Sequence, residues 1–84
     1  MAHFAKLDAN KIVQEVIVLN NSVVGEPEKT FPETEPIGQD FINNVLKLDG
    51  EWKQTSYNGS FRGTYAGIGF VYDEIQDKFI QPQQ

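Results

Sequence analysis

Tyr57, Phe61, Arg62 and Tyr65 are the residues of this chain best equipped to meet another molecule. Aromatic rings with a few polar groups are a usual lining for small sugar- or peptide-binding sites, and the arginine adds a planar fork of donors. Reactive chemistry has much less to work with. There is no cysteine, which excludes disulfides, thiolate nucleophiles and cysteine zinc sites, and the one histidine is His3. Carboxylates, phenols and hydroxyls remain for acid–base work. Asp40 and Asp49 fall on roughly opposite faces of the helix expected there, so they do not form a paired-carboxylate site. Asp73, Glu74 and Asp77 are explained by turn chemistry. The acidic residues before the helix lack the alternating oxygen ligands and central glycine of a calcium loop. The expectation is a non-enzymatic chain with no cofactor and no metal site.

The four candidate contact residues sit inside Trp52–Tyr72, which holds the only tryptophan, all three tyrosines, the only arginine and four of the seven glycines. Trp52–Tyr57 reads as a strand, with Thr55 and Tyr57 favourable for β structure. Asn58-Gly59 is a strong turn dipeptide and Gly63 a second flexible point. From Tyr65 to Tyr72 the period is two, which predicts a strand with Ala66, Ile68, Phe70 and Tyr72 toward the core. Gly67 and Gly69 then leave a shallow groove on its other face, to be filled by a neighbouring element or by a ligand. Arg62 has two readings: stacked on Tyr57 or Tyr65, or held for an acidic partner or neighbouring subunit.

Upstream, His3–Asp8 and Ile12–Leu19 read as paired strands around Ala9-Asn10-Lys11. The second is strongly β-branched and apolar on both faces, with Ile12, Val16 and Val18 on one and Val13, Ile17 and Leu19 on the other. Residues 21–36 form an acidic, proline-rich loop, in which Phe31 is the one bulky residue able to pin the loop down. Gly38–Leu48 has helical spacing: Phe41, Val45 and Leu48 follow i, i+4, i+7, with Ile42 and Leu46 widening the stripe. Gly50 is placed to stop it. A short final strand at Phe79-Ile80 completes an α+β class: a small antiparallel β-sheet with one helix packed on one face, in a single small domain spanning 1–84. One helix covers one sheet face only. That leaves Val13, Ile17 and Leu19 as a candidate interface and a homo-oligomer as the expected state.

A formal charge of −5 with no basic stripe argues against nucleic acid as a partner. No apolar run is long enough to span a membrane, and the N-terminus has no signal-peptide pattern, so neither a membrane nor export by a signal peptide is expected.

The opening MAHFAKLD, the segment WKQTSYNGSFRGTYAGIGFVYD and the closing DKFI resemble small proteins and modules encoded by marine tailed bacteriophages, especially those infecting cyanobacteria. The resemblance implies a viral origin and a virion-associated part such as a tail, fibre or capsid accessory. Other virion proteins would then be partners, and the location would be the virion or the cytoplasm of the infected host. It implies no catalytic residue. Two functions are expected: a structural or interaction module, or a small sugar- or peptide-binding module using the loop around 57–65.

Overall fold

The computed structural model describes residues 1–82. Three strands, β1 (Ala2–Leu7), β2 (Val13–Leu19) and β3 (Glu51–Thr55), form an antiparallel sheet in the order β2-β1-β3. A second antiparallel pair joins β4 (Val71–Asp73) to β5 (Lys78–Ile80). Between β2 and β3 lie a single 3-10 turn (Asn21–Val24) and the helix α1 (Thr34–Asp40), which runs on through a wider π turn at Phe41–Val45. The α+β class is the one expected.

The β1–β2 turn is held by Asp8, whose Oδ1 accepts from the amides of Asn10 (2.8 Å) and Ile12 (3.0 Å). The register then jumps: Lys6 pairs with Glu15 but Leu7 pairs with Val13, so Gln14 is an extra residue on β2. A bulge of one residue reverses the in-and-out parity of everything beyond it. Val13 therefore faces with Val16, while Ile17 and Leu19 face the other way. The expected common face of Val13, Ile17 and Leu19 is divided between the two sides of the sheet.

Each side has its own cluster. Phe4, Leu19, Ile42 and Trp52 are buried together under the helix, with Ile17 half-buried against them. Ala5, Leu7 and Val13 are buried under Ala66, Tyr72 and Phe79 on the opposite side. The C-terminal segment thus supplies the cover for which a second subunit was expected. Val13 and Leu19 are buried within the chain itself.

The helix also departs from its expected bounds and phase. It starts at Thr34, inside the presumed acidic loop, because Pro36 falls in the first turn, where no intrahelical amide is required. Its buried positions are Thr34, Gly38 and Ile42, spaced by four. Gly38 crosses directly over the ring of Phe4, and a Cβ there would sit 2.1 Å from Phe4 Cζ. At the π turn the Leu46 amide donates to the Phe41 carbonyl five residues back (3.0 Å), and the extra residue rotates the end of the helix away from the sheet. Val45 and Leu46, expected against the sheet, are consequently exposed, Val45 by 61%, and Leu48 lies beyond the helix, which ends ahead of Lys47 at φ 61° and not at Gly50.

The expected strand over Tyr65–Tyr72 is mostly a turn. The Phe70 amide donates to the Gly67 carbonyl (3.0 Å), and Gly69 has φ 92°, which a continuing strand does not allow. Ile68 sits exposed at its tip, and the Phe70 ring folds back against Gly67, so no glycine groove forms. Only Val71–Asp73 is extended, and it docks beside β2 through the Val71–Ile12 bridge.

Candidate functional site

The loop after β3 is built around one hydroxyl. Ser56 Oγ receives the Ser60 amide (2.9 Å) and lies 2.7 Å from Asn58 Oδ1 and 2.8 Å from Ser60 Oγ. The Gly59 amide donates to the Ser56 carbonyl (3.1 Å), closing the turn that Asn58-Gly59 announced. This knot sends Tyr57 to one side and Phe61-Arg62 to the other.

Arg62 points inward. It adopts φ 57°, and its side chain is only 7% exposed. The guanidinium meets both oxygens of Glu35: Nη2 donates to Oε1 at 3.0 Å, and Nη1 bonds Oε2. Nη1 also donates to the Gln54 carbonyl (3.0 Å) and Nε to Asp77 Oδ1 (2.8 Å). Its Cζ lies 4.9 Å from the Phe31 ring centroid, and Phe31 in turn stacks on Phe61 at 3.8 Å and 3°. Phe31 does pin its loop, through Phe61. Burial would lower the Arg62 pKa, but the bond and charge of Glu35 outweigh it and hold the group above its ordinary value. Tyr72 donates its hydroxyl to the same Asp77 oxygen. Burial, together with that bond, pushes the phenol up to about 12. Asp77 moves the other way, below the usual carboxylate range, because Tyr72 and then Arg62 donate to it. Arg62 is thus a brace joining helix, β3 and the last turn. It rests on neither Tyr57 nor Tyr65, and Nε, Nη1 and Nη2 all donate within the chain.

Tyr57 and Tyr65 belong to a second cluster with His3. The ring centroids are 5.6 Å apart for His3–Tyr57, 5.5 Å for His3–Tyr65 and 5.8 Å for Tyr57–Tyr65. Tyr57 is 74% exposed despite two ring neighbours, while Tyr65 and His3 are half-buried. Burial, and then the positive N-terminus, lower the His3 pKa, which favours the neutral imidazole. Beside these rings opens a depression of about 270 Å³ between the ends of β1 and β3. His3, Glu26, Gln54, Tyr57, Asn58 and Ser60 give it its chemistry, and Phe61 forms part of its wall.

Of the four residues expected to contact a ligand, Tyr57, Phe61 and Tyr65 lie at or beside this depression, and Arg62 does not. His3, Glu26 and Gln54 were missed. Strand alternation puts His3 on a definite face of β1, but only the β1–β3 pairing, which joins residues about fifty apart, brings it to Tyr57. Among the described residues no group of three His, Asp or Glu side chains is placed to hold a metal ion, and no helix is long and apolar enough to cross a membrane.

No family model matches the chain, and no curated protein or solved structure matches it.

Proposed function

We propose that this chain is a non-catalytic interaction module whose working surface is the depression beside Tyr57. The observation that carries this reading is the Tyr57 ring, left largely in water although His3 and Tyr65 stand ready to pack it. Leaving a large ring exposed forgoes burial energy, and rings held at the edge of a polar hollow are a common form of recognition surface. Of the acid–base groups with shifted pKa values, Tyr72 bonds Asp77 and Asp77 bonds Arg62 in the brace, while His3 stands at the depression between two tyrosine rings. The resemblance to marine-phage modules supplies a setting, a virion part, and proteomics of purified particles tests that setting separately. For the site itself, the labelled chain should bind members of an immobilised glycan or peptide array. Tyr57→Ala should abolish that binding and Ile75→Ala, altered at a remote exposed position, should not. No binding to either array, or equal binding by Tyr57→Ala, would sink the reading.

A second reading, an assembly module, is supported by the exposed Val45, Leu46 and Leu48 at the end of the helix. In that case self-association, or docking on a neighbouring virion protein, runs through this apolar end and not through Val13 and Leu19. Light scattering over a concentration series should then show a mass above the monomer that Val45→Glu with Leu48→Glu reduces. A monomer at every concentration excludes the homo-oligomer.

A further inference from the structure

We infer that the depression beside Tyr57 takes an uncharged sugar ring; this rests on the reading of that surface as a binding site. Four features of the lining narrow the ligand. First, its charges offset one another. Glu26 and the amino terminus of Met1 are the charged groups of its lining, no lysine or arginine joins them, and the chain as a whole carries −5. Acidic saccharides, phosphates and nucleic acids would meet one amino group already set against a carboxylate.

Second, the rings do not form a cage for a cation. A trimethylammonium is held between aromatic faces that stand apart, each within about 6 Å of the charge. Here the three centroids are 5.5–5.8 Å from one another, so the rings touch and leave no gap. What they offer is the Tyr57 ring, 74% exposed, with the other two rings beside it. A sugar presents a matching surface, the apolar C–H face of its ring.

Third, the floor holds an amide donor without a partner. Gln54 is 4% exposed and lines the depression, and its Oε1 accepts from Thr34 Oγ1 at 2.7 Å. Among the described residues its Nε2 makes no hydrogen bond. Among the described residues no side-chain nitrogen or oxygen that is shut off from solvent lacks a partner, so this nitrogen keeps contact with solvent, and the hollow is the opening that Gln54 lines. Fixing a side chain this deeply while leaving one donor unused is the arrangement that orients a bound acceptor.

Fourth, the rim mixes donors and acceptors. Asn58 Nδ2 points away from the Ser56 bond made by its own oxygen, Ser60 contributes a hydroxyl, and Glu26 accepts only. A proline-rich peptide stacks on tyrosines too, but its backbone offers carbonyl acceptors and few donors for Glu26. Sugar hydroxyls donate and accept at once, and they project around a ring whose face is apolar. At about 270 Å³ the hollow sits just below the roughly 300–1,000 Å³ of small-molecule sites, which suits one or two sugar units at the end or side of a longer glycan.

The test is a set of heteronuclear NMR titrations of the isotopically labelled full chain. The probes are a panel of neutral oligosaccharides (hexose, deoxyhexose and N-acetylhexosamine), a uronic-acid oligosaccharide, choline chloride and a proline-rich peptide. At least one neutral oligosaccharide should shift the amides of His3, Tyr57, Asn58 and Ser60 together, saturably, while the acidic glycan and choline leave them in place. Tyr57→Ala should weaken that binding about tenfold, as removal of a ring contact of ~1.4 kcal/mol requires. Glu26→Gln, which keeps the shape and removes the charge, should narrow the preference for neutral over acidic glycans. If the peptide or choline shifts these amides and no neutral glycan does, the sugar assignment is wrong and the binding surface stands. If no probe shifts them, or if Tyr57→Ala binds as well as the parent chain, both the assignment and the surface fall.

Discussion

The chain has two aromatic clusters of similar make-up and opposite fate. Around Arg62 stand Phe31, Phe61 and Tyr72 with Glu35 and Asp77; around Tyr57 stand His3 and Tyr65 with Glu26, Gln54 and Asn58. Both combine rings with polar groups, and both are held by the loop after β3. In the first, the guanidinium meets both oxygens of one carboxylate, one oxygen of a second and a backbone carbonyl. In the second, one ring is left largely in water, and beside it the Gln54 amide nitrogen and the Glu26 carboxylate make no hydrogen bond among the described residues. Composition does not separate a brace from a surface; the separation comes from whether the partners lie within the same chain. Phe61 connects the two, stacking on Phe31 and forming part of the wall of the depression, so the brace also fixes the shape of the open site.

The largest effect should come from breaking the brace. Arg62→Ala leaves Glu35, only 13% exposed, without its counter-charge, and breaking a buried pair in this way costs about 3–5 kcal/mol. In a small domain that is a large share of a total of about 5–15 kcal/mol. Trp52, buried and the only tryptophan, gives the readout: its fluorescence should change at far lower urea in the variant. Replacing both partners, Arg62→Met with Glu35→Leu, should be less damaging than Arg62→Ala alone, because no buried charge is then stranded. Equal losses would mean that packing of the guanidinium, and not its charge, holds the brace.

A smaller loss is expected at the helix, and it shows what the sequence could reveal. The two N-terminal strands, the strand at Trp52, the Asn58-Gly59 turn and the α+β class were legible because β-branched runs and turn dipeptides act over a few residues. The helix stripe was legible in type and wrong in phase. Phe41, Val45 and Leu48 have the right spacing, but the π turn rotates Val45 outward and the helix stops before Leu48, and nothing local in FINNV shows where a helix will widen. Gln14 is likewise an ordinary strand residue until its pairing with β1 makes it a bulge. Arg62 was noticed as the lone arginine, yet its partners Glu35 and Asp77 lie 27 and 15 residues away, beyond any spacing rule. Gly38 marks the same limit. In isolation Gly38→Ala should favour a helix by about 1 kcal/mol, but here the new methyl overlaps the Phe4 ring. Overpacking of about 1–3 kcal/mol should outweigh the gain, and chemical denaturation should show a net loss.

Tyr72 sharpens the comparison through pH. Its phenol is raised to about 12, so the folded state favours the protonated form. That contribution is fully present below the ordinary tyrosine value of about 10 and is lost as pH climbs from there through about 12. Asp77 has the opposite sign: its carboxylate is depressed, so its share is present above the ordinary carboxylate range and lost as pH falls below it. Tyr72→Phe should cost about 1 kcal/mol at neutral pH by removing one hydrogen bond, and should flatten the alkaline decline of stability. It should also remove the phenolate absorbance step near pH 12. If the step that disappears lies near the ordinary tyrosine value of about 10, the hydroxyl is not held by the brace.

The smallest effect on stability should come from Tyr57→Ala, and its smallness is what gives it meaning. The ring is 74% exposed, so truncation removes little area that folding had taken from water, and the expected change is within about 0.5 kcal/mol. Its neighbours are anchored without it: His3 lies in β1, paired with Val18 and Thr55, and Tyr65 precedes Ala66, whose amide donates to Thr55 Oγ1 at 2.9 Å. A fold that keeps its urea midpoint while ligand binding disappears would place Tyr57 in recognition alone. A loss approaching that of Arg62→Ala would instead make the exposed cluster a second brace, and the contrast between the two regions would vanish.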